Sequence, residues 1–70
     1  MSSKLANKLK ALREESGFTI SELAYHLDTP PQVVTNAEKP TSNPHYKTLE
    51  KYEVYFKIPF GALRRMKHEY

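Results

Sequence analysis

The chain has 70 residues, no cysteine and a formal net charge of +3. A chain of this length forms one domain with a modest core, which leaves little room for a deep catalytic cleft. Without cysteine it forms neither disulfides nor a thiolate metal site, as is usual for a protein of the reducing cytoplasm. No apolar run approaches a membrane-spanning length. The basic charge suits nucleic acid and an acidic protein partner equally well, so it does not choose between them.

The first two helices are predicted from apolar spacing and from signals at their ends. Helix 1 carries apolar residues at helical spacing, which are Leu5, Leu9 and Leu12. Gly17 supplies its stop. Thr19 and Glu22 have the spacing of a capping box, in which each side chain accepts the backbone N–H of the other residue. Helix 2 is therefore predicted to begin near Ile20 and to end near Asp28.

Helix 3 is predicted to be short because prolines limit it at both ends. Thr29 or Pro30 can open it, since proline is tolerated in a first helical turn. Pro40 stops it, and segment 39–44 has the proline-rich, small polar composition of a loop. A tight turn of about three residues then separates helix 2 from helix 3. Residues 20–39 therefore have the helix-turn-helix arrangement, in which the second helix is presented for recognition.

Two further helices are predicted after the loop. Helix 4 begins just after Pro44 and carries a stripe of residues at spacing three and four, which are Tyr46, Leu49, Tyr52 and Phe56. Pro59 interrupts the helical pattern, and a last short helix that carries Phe60 and Leu63 is predicted to follow it. The basic tail at 64–70 is expected to fray. All 70 residues are thus predicted to form one all-α domain of five helices.

A family pattern is carried by positions spread along most of the chain. They are Leu9, Leu12, Arg13, Gly17, Phe18, Thr19, Leu23, Ala24, Leu27, Val34, Glu38, Pro44, Leu49, Phe56, Ile58 and Leu63. In this pattern the chain resembles the Cro/cI family of phage repressors, which implies a compact five-helix fold. The resemblance also implies a bidentate ion pair between Arg13 and Glu38, joining helix 1 to the end of helix 3. The alternative is that these are two unrelated surface charges.

The same resemblance implies a set of DNA contacts around helix 3. Base edges would be read by Pro31, Gln32, Val33 and Asn36, and phosphates would be contacted by Thr19, Lys39, Ser42, Asn43 and Lys47. Glutamine and asparagine suit base reading because each can donate to and accept from adenine in the major groove. Two alternatives remain open. Gln32 has capping-box spacing with Thr29, and Asn36 can be a solvated polar residue.

Three departures from the family pattern lie on the surface that would meet DNA. Ile20 replaces a polar residue that usually contacts phosphate. Pro31 removes a hydrogen-bond donor at the front of helix 3, and segment 29–38 contains no lysine or arginine. Neutralisation of phosphates dominates nucleic-acid affinity, so these departures weaken the DNA-binding hypothesis.

The aromatic residues divide into expected core positions and two outliers. Inward positions are predicted for Phe18, Tyr46, Tyr52, Phe56 and Phe60. Tyr25 and Tyr55 fall where the family usually has polar or small residues. Together with Ile20 and Val33 they have the composition of a protein-binding surface, since tyrosine rings give large contact area at little entropic cost. The alternative is that they are scattered surface tyrosines without a role.

These departures favour a protein partner over DNA. The chain resembles small helix-turn-helix antirepressors of the modulator-of-repression type, which bind a phage repressor's N-terminal DNA-binding domain and block its operator-facing surface. The leading hypothesis is an antirepressor of a lytic/lysogenic switch in the host cytoplasm, with at most weak DNA binding alone. The alternative is a Cro-like repressor that binds operator double-stranded DNA through helix 3. An antitoxin is a third, less favoured class.

No enzymatic, metal or cofactor chemistry is expected. His26, His45 and His68 lack the spacing of metal ligands. The sequence contains neither a serine, histidine and acid arrangement nor a glycine-rich phosphate loop. We therefore expect no small-molecule substrate. Because no apolar run is long enough to span a membrane, we also expect no membrane partner.

Overall fold

Five helices account for most of the chain. The computed structural model describes residues 3–41 and 44–67, and these residues contain no strand. The helices are α1 (Ser3–Glu15), α2 (Ile20–Leu27), α3 (Pro31–Ala37), α4 (Tyr46–Tyr55) and α5 (Ala62–Lys67). The prediction of an all-α fold with five helices is confirmed. Helix 3 ends two residues earlier than predicted: Glu38 is its C-cap, and the N–H of Lys39 turns to the carbonyl of Asn36, three residues back.

The helices α1, α2 and α4 end in the same way, with a single residue in the left-handed conformation just after the helix. These residues are Gly17 (φ 78°), Asp28 (φ 57°) and Lys57 (φ 56°). The following N–H then reaches back into the last turn; for example, Thr29 donates to the carbonyl of Ala24 over 3.0 Å. The stop at Gly17 was predictable because glycine adopts positive φ freely. Lys57 carries no such signal.

The start of α2 is the predicted capping box. Thr19 Oγ1 accepts the N–H of Glu22 over 3.1 Å, and Glu22 Oε1 accepts the N–H of Thr19 over 2.8 Å. The other capping box considered, between Thr29 and Gln32, does not form. Pro30 occupies the position before α3, so Gln32 lies one residue too early to close the box.

The core is apolar and draws on all five helices. Its fully buried members are Leu5, Leu9, Leu23, Ala24, Leu27, Val34, Ala37, Leu49, Tyr52 and Leu63. The small side chain of Ala24 is buried where α2 meets α3, which allows the two helices to cross closely. Burial raises the pKa of Tyr52 well above its usual value, and the negative charge of Glu38 acts in the same direction.

Two of the five aromatic residues predicted to face inward do not. Phe60 is 72% exposed and Tyr46 is 42% exposed. Phe60 lies in the turn before α5, where the guanidinium of Arg64 sits 3.8 Å from its ring centroid. Leu63, at the second residue of α5, is the side chain that enters the core. Tyr46 begins α4 and lies at the outer end of the predicted stripe.

The segment after Leu63 is not a fraying tail over residues 64–67, which are helical and belong to α5. Residues 68–70 lie outside the described part of the chain. Glu53 of α4 holds α5 in place. Its buried carboxylate accepts the N–H of Leu63 over 2.9 Å through Oε2, and Oε1 lies 3.6 Å from Nη2 of Arg64. This charge-assisted hydrogen bond satisfies a backbone N–H in the first turn of α5, just before the segment predicted to fray.

Candidate functional site

Helices α2 and α3 form a rigid corner joined by residues 28–30. Their buried faces pack against each other through Leu23 and Leu27 of α2 and Val34 and Ala37 of α3. Because these side chains hold α3 against α2, the opposite face of α3 lies in solvent. This is the geometry of a presented recognition helix.

The outer face of α3 carries neutral polar groups. Gln32 and Asn36 are exposed and four residues apart, so their amides share one face. Pro31 is exposed at the first helical position, whereas Val33 is half-buried. Of the four predicted base-contacting residues, Gln32 and Asn36 therefore present hydrogen-bonding groups to a partner. The exposed Thr35 lies between them, although sequence reasoning did not single it out.

The predicted phosphate contacts are scattered. Lys39 is exposed just after α3, and Ser42 and Asn43 lie outside the described residues. Thr19 is exposed, but its hydroxyl and N–H are both engaged with Glu22. The carboxylate of Glu22 thus lies at the start of α2, where a phosphate would be repelled. Lys47 is exposed on α4 and lines a groove against α2.

Arg13 and Glu38 form a bidentate ion pair between α1 and the end of α3. Arg13 Nε donates to Oε2 of Glu38 over 2.7 Å, and Nη2 donates to Oε1 over 3.1 Å. The remaining amino group of Arg13 donates to the carbonyl of Phe18 over 2.9 Å. The hydrogen bond to Glu38 raises the pKa of Arg13, so this residue stays charged. The pair fixes the end of α3 relative to α1.

A family model described as helix-turn-helix matches residues 9–63 of the chain, which cover all of α2, α3 and α4. The chain belongs to the helix-turn-helix family. The match supports the Cro/cI-type resemblance and assigns the chain to DNA-binding domains of transcription regulators, which are typically not enzymes. Searches of curated proteins and of solved structures each gave no significant match.

The charges of this helix-turn-helix domain are strongly segregated. All 11 lysine and arginine residues lie outside segment 14–38, which contains α2 and α3. The acidic residues of that segment are Glu14, Glu15, Glu22, Asp28 and Glu38. Arg13 compensates Glu38, and the other four are exposed. The helix-turn-helix itself, residues 20–39, carries three acidic residues and one cation, Lys39, because Glu14 and Glu15 belong to α1. It is therefore acidic, while the rest of the domain is basic. Counting charge over the whole unit, rather than over 29–38 alone, would have found this from sequence.

The side chains predicted to meet a partner protein differ in accessibility. Tyr25 is 81% exposed on α2, whereas Tyr55 is 38% exposed. The ring centroid of Tyr55 lies 5.4 Å from that of His26 and 5.2 Å from that of Phe56. Ile20 is half-buried and packs against the core, so it offers less exposed apolar surface than the sequence indicated. Tyr25 is therefore the most accessible of the predicted partner contacts.

Sequence reasoning missed the aromatic surroundings of His26. This exposed residue lies between Phe18, at a ring-centroid distance of 4.8 Å, and Tyr25, at 5.6 Å.

Among the described residues no group of histidine, aspartate or glutamate is arranged to hold a metal ion. Within residues 3–41 and 44–67, no helix has the length and apolar character needed to cross a membrane.

Proposed function

We propose that this helix-turn-helix regulator acts as an antirepressor, which binds the DNA-binding domain of a phage repressor and covers its operator-facing surface. The acidic charge of the helix-turn-helix carries the proposal: residues 20–39 hold Glu22, Asp28 and Glu38 against a single cation, Lys39. Proteins that bind DNA neutralise its phosphates with lysine and arginine, so the operator-facing surface of a repressor is basic. An acidic unit is repelled by DNA and attracted to that surface.

The residues around α2 and α3 suit such a partner. Glu22 and Asp28 are exposed at the two ends of α2, with Tyr25 between them. Tyr25 offers a large ring with a polar tip, the kind of side chain that dominates protein interfaces. Gln32 and Asn36 on α3 add neutral hydrogen-bonding groups, which pair with a protein surface as readily as with bases. In this role the chain would release an operator and so turn a lytic/lysogenic switch.

Displacement of a repressor from its operator tests the proposal. Adding this protein to a complex of a phage repressor with its labelled operator should release the DNA by mass action, without shifting free operator. Tyr25→Ala should raise the dissociation constant for the repressor at least tenfold, since truncating an interface tyrosine commonly costs about 2 kcal/mol. Fluorescence anisotropy of the operator measures both effects, and Lys8→Ala on the exposed part of α1 is the control.

A substitution at Glu22 tests the contribution of negative charge to repressor binding. Glu22→Gln keeps the capping box, since glutamine serves there as well as glutamate, but removes one negative charge. It should weaken repressor binding, and wild-type binding should weaken as salt rises. Full displacement by a variant combining Glu22→Gln with Tyr25→Ala would refute this placement of the interface. Ile20 is left unchanged because altering a residue packed on the core would also disturb the fold.

A second candidate function, direct operator binding by a Cro-like repressor, is favoured by one observation. Gln32 and Asn36 lie exposed one turn apart on α3, with the exposed Lys39 beyond its end. If they read bases, Gln32→Ala or Asn36→Ala should each cost about 1–3 kcal/mol and relax the preference at one base pair. Lys39→Ala should weaken binding to all sequences alike.

Operator titrations with these three variants, compared with Lys8→Ala, separate the two candidates. Unchanged affinity in all three would remove base reading through α3. The absence of any measurable operator affinity in the unmodified protein would remove direct DNA binding altogether. No observation on the described residues favours the antitoxin hypothesis.

A further inference from the structure

An open groove of about 480 Å³ lies between the last turn of α2 and one face of α4. We infer that this α2–α4 groove is a second binding surface, which accepts an acidic amphipathic helix of a partner protein. The groove is separate from the outer face of α3. The inference therefore goes beyond the proposed function and holds whether or not a repressor is the partner.

The apolar part of the groove offers a seat for one large side chain. Leu27 is buried beneath it, and Val54 and Tyr55 line it from α4. Val54 is 71% exposed, although it lies on a helix whose other face supplies the core. An aliphatic or aromatic anchor placed here would remove the exposed apolar surface of Val54 and Tyr55 from water.

The rim of the groove selects the charge of the occupant. Lys47 and Lys51 lie one helical turn apart on α4, and both line the groove together with a single carboxylate, that of Glu50. Lys51 Nζ donates to the carbonyl of Asp28 over 3.2 Å, which holds the ammonium group at the α2 side and leaves its other protons free. Two cations against one anion favour carboxylates on the partner.

An amphipathic helix satisfies both requirements. Apolar anchors at spacing three and four would enter the groove, while glutamates on the flanks of the same helix would face Lys47 and Lys51. Duplex DNA satisfies only the second requirement, because a phosphate backbone has no apolar group to cover Val54 and Tyr55. The occupant is therefore a protein segment.

A designed peptide tests the groove without any repressor. The probe is a synthetic helical peptide of about 14 residues, with leucine and tryptophan anchors on one face and glutamates beside them. Its control is the same peptide with each glutamate replaced by glutamine. With the isotope-labelled full chain, the amide signals that move on titration should be those of groove residues on α2 and α4, such as His26 and Val54. The glutamine peptide should bind at least fivefold more weakly.

Three substitutions at exposed positions sharpen the test. Lys47→Glu and Val54→Asp should each weaken binding of the acidic peptide about tenfold, whereas Glu50→Gln should strengthen it about twofold. Lys10→Glu, the same charge change on α1, should leave the affinity unchanged. Circular dichroism establishes that each variant remains folded.

Three outcomes would overturn the inference. They are no shifts in the groove at millimolar peptide, equal binding of the two peptides, and duplex DNA moving the same signals at lower concentration than the peptide. None of them depends on displacement of a repressor, and none involves the substitutions at Glu22 or Tyr25. Failure of this inference is therefore distinguishable from failure of the proposed function.

Discussion

Leu23→Ala is expected to lower the free energy of unfolding by about 2–5 kcal/mol. Leu23 is fully buried at the centre of α2, where it contributes to the core shared with α1 and α3. Its truncation loses apolar burial and leaves a cavity, because surrounding side chains relax only in part. A domain of this size has a total stability of about 5–10 kcal/mol, so the variant loses a large fraction of its stability and should melt well below the unmodified protein.

Thermal melts followed by circular dichroism, together with urea titrations, measure this loss. Val54→Ala is the matched control, since it also truncates an aliphatic side chain on a short helix but at an exposed position. It should change stability by about 0.5 kcal/mol or less. A Leu23→Ala variant that melts with the unmodified protein would contradict the packing of α2 against the core.

Arg13→Met should destabilise the domain by about 2–4 kcal/mol. The substitution keeps an apolar stem but leaves the carboxylate of Glu38 and the carbonyl of Phe18 without their guanidinium donor. Both charged side chains of the pair are nearly buried, so water compensates poorly for the missing partner. Because Glu38 ends α3, the loss should loosen this helix before the rest of the domain.

A double-mutant cycle separates the ion pair from the packing of the arginine stem. Glu38→Gln alone should also destabilise, and the double variant should lose less than the sum of the two single variants. Lys10→Met removes a charge from the exposed side of α1 and should have little effect. Additive losses in the cycle would mean that the two side chains are not coupled in solution.

The sequence predicted those helix ends that are set by residues close to them in the chain. The capping box of Thr19 and Glu22 needs only residues three apart, and Gly17 needs only its own freedom at positive φ. Asp28 and Lys57 adopt the same conformation without glycine. Aspartate tolerates this conformation better than most residues do, and helix 2 was predicted to end near Asp28, whereas the lysine at position 57 gives no such signal.

Positions whose burial depends on distant partners were predicted less well. Phe60 has helical spacing to Leu63, but it lies before α5, where its exposed ring stacks against the guanidinium of Arg64. The exposure of Gln32 and Asn36 follows from helical periodicity once Val34 and Ala37 face inward. The α2–α4 groove depends on how two helices far apart in sequence are placed, and no residue pattern indicates it.

The buried carboxylate of Glu53 couples a residue of α4 to residues of α5, so substitutions at these positions should not be independent. Replacing it with a small apolar residue would leave the N–H of Leu63 without its acceptor and remove the carboxylate that lies 3.6 Å from the guanidinium of Arg64. Substituting Arg64 would in turn leave Glu53 as an isolated anion in the core. Positions 53 and 64 should therefore vary together among relatives of this chain. A substitution at only one of these two positions is expected to destabilise α5, the helix that closes the C-terminal side of the core.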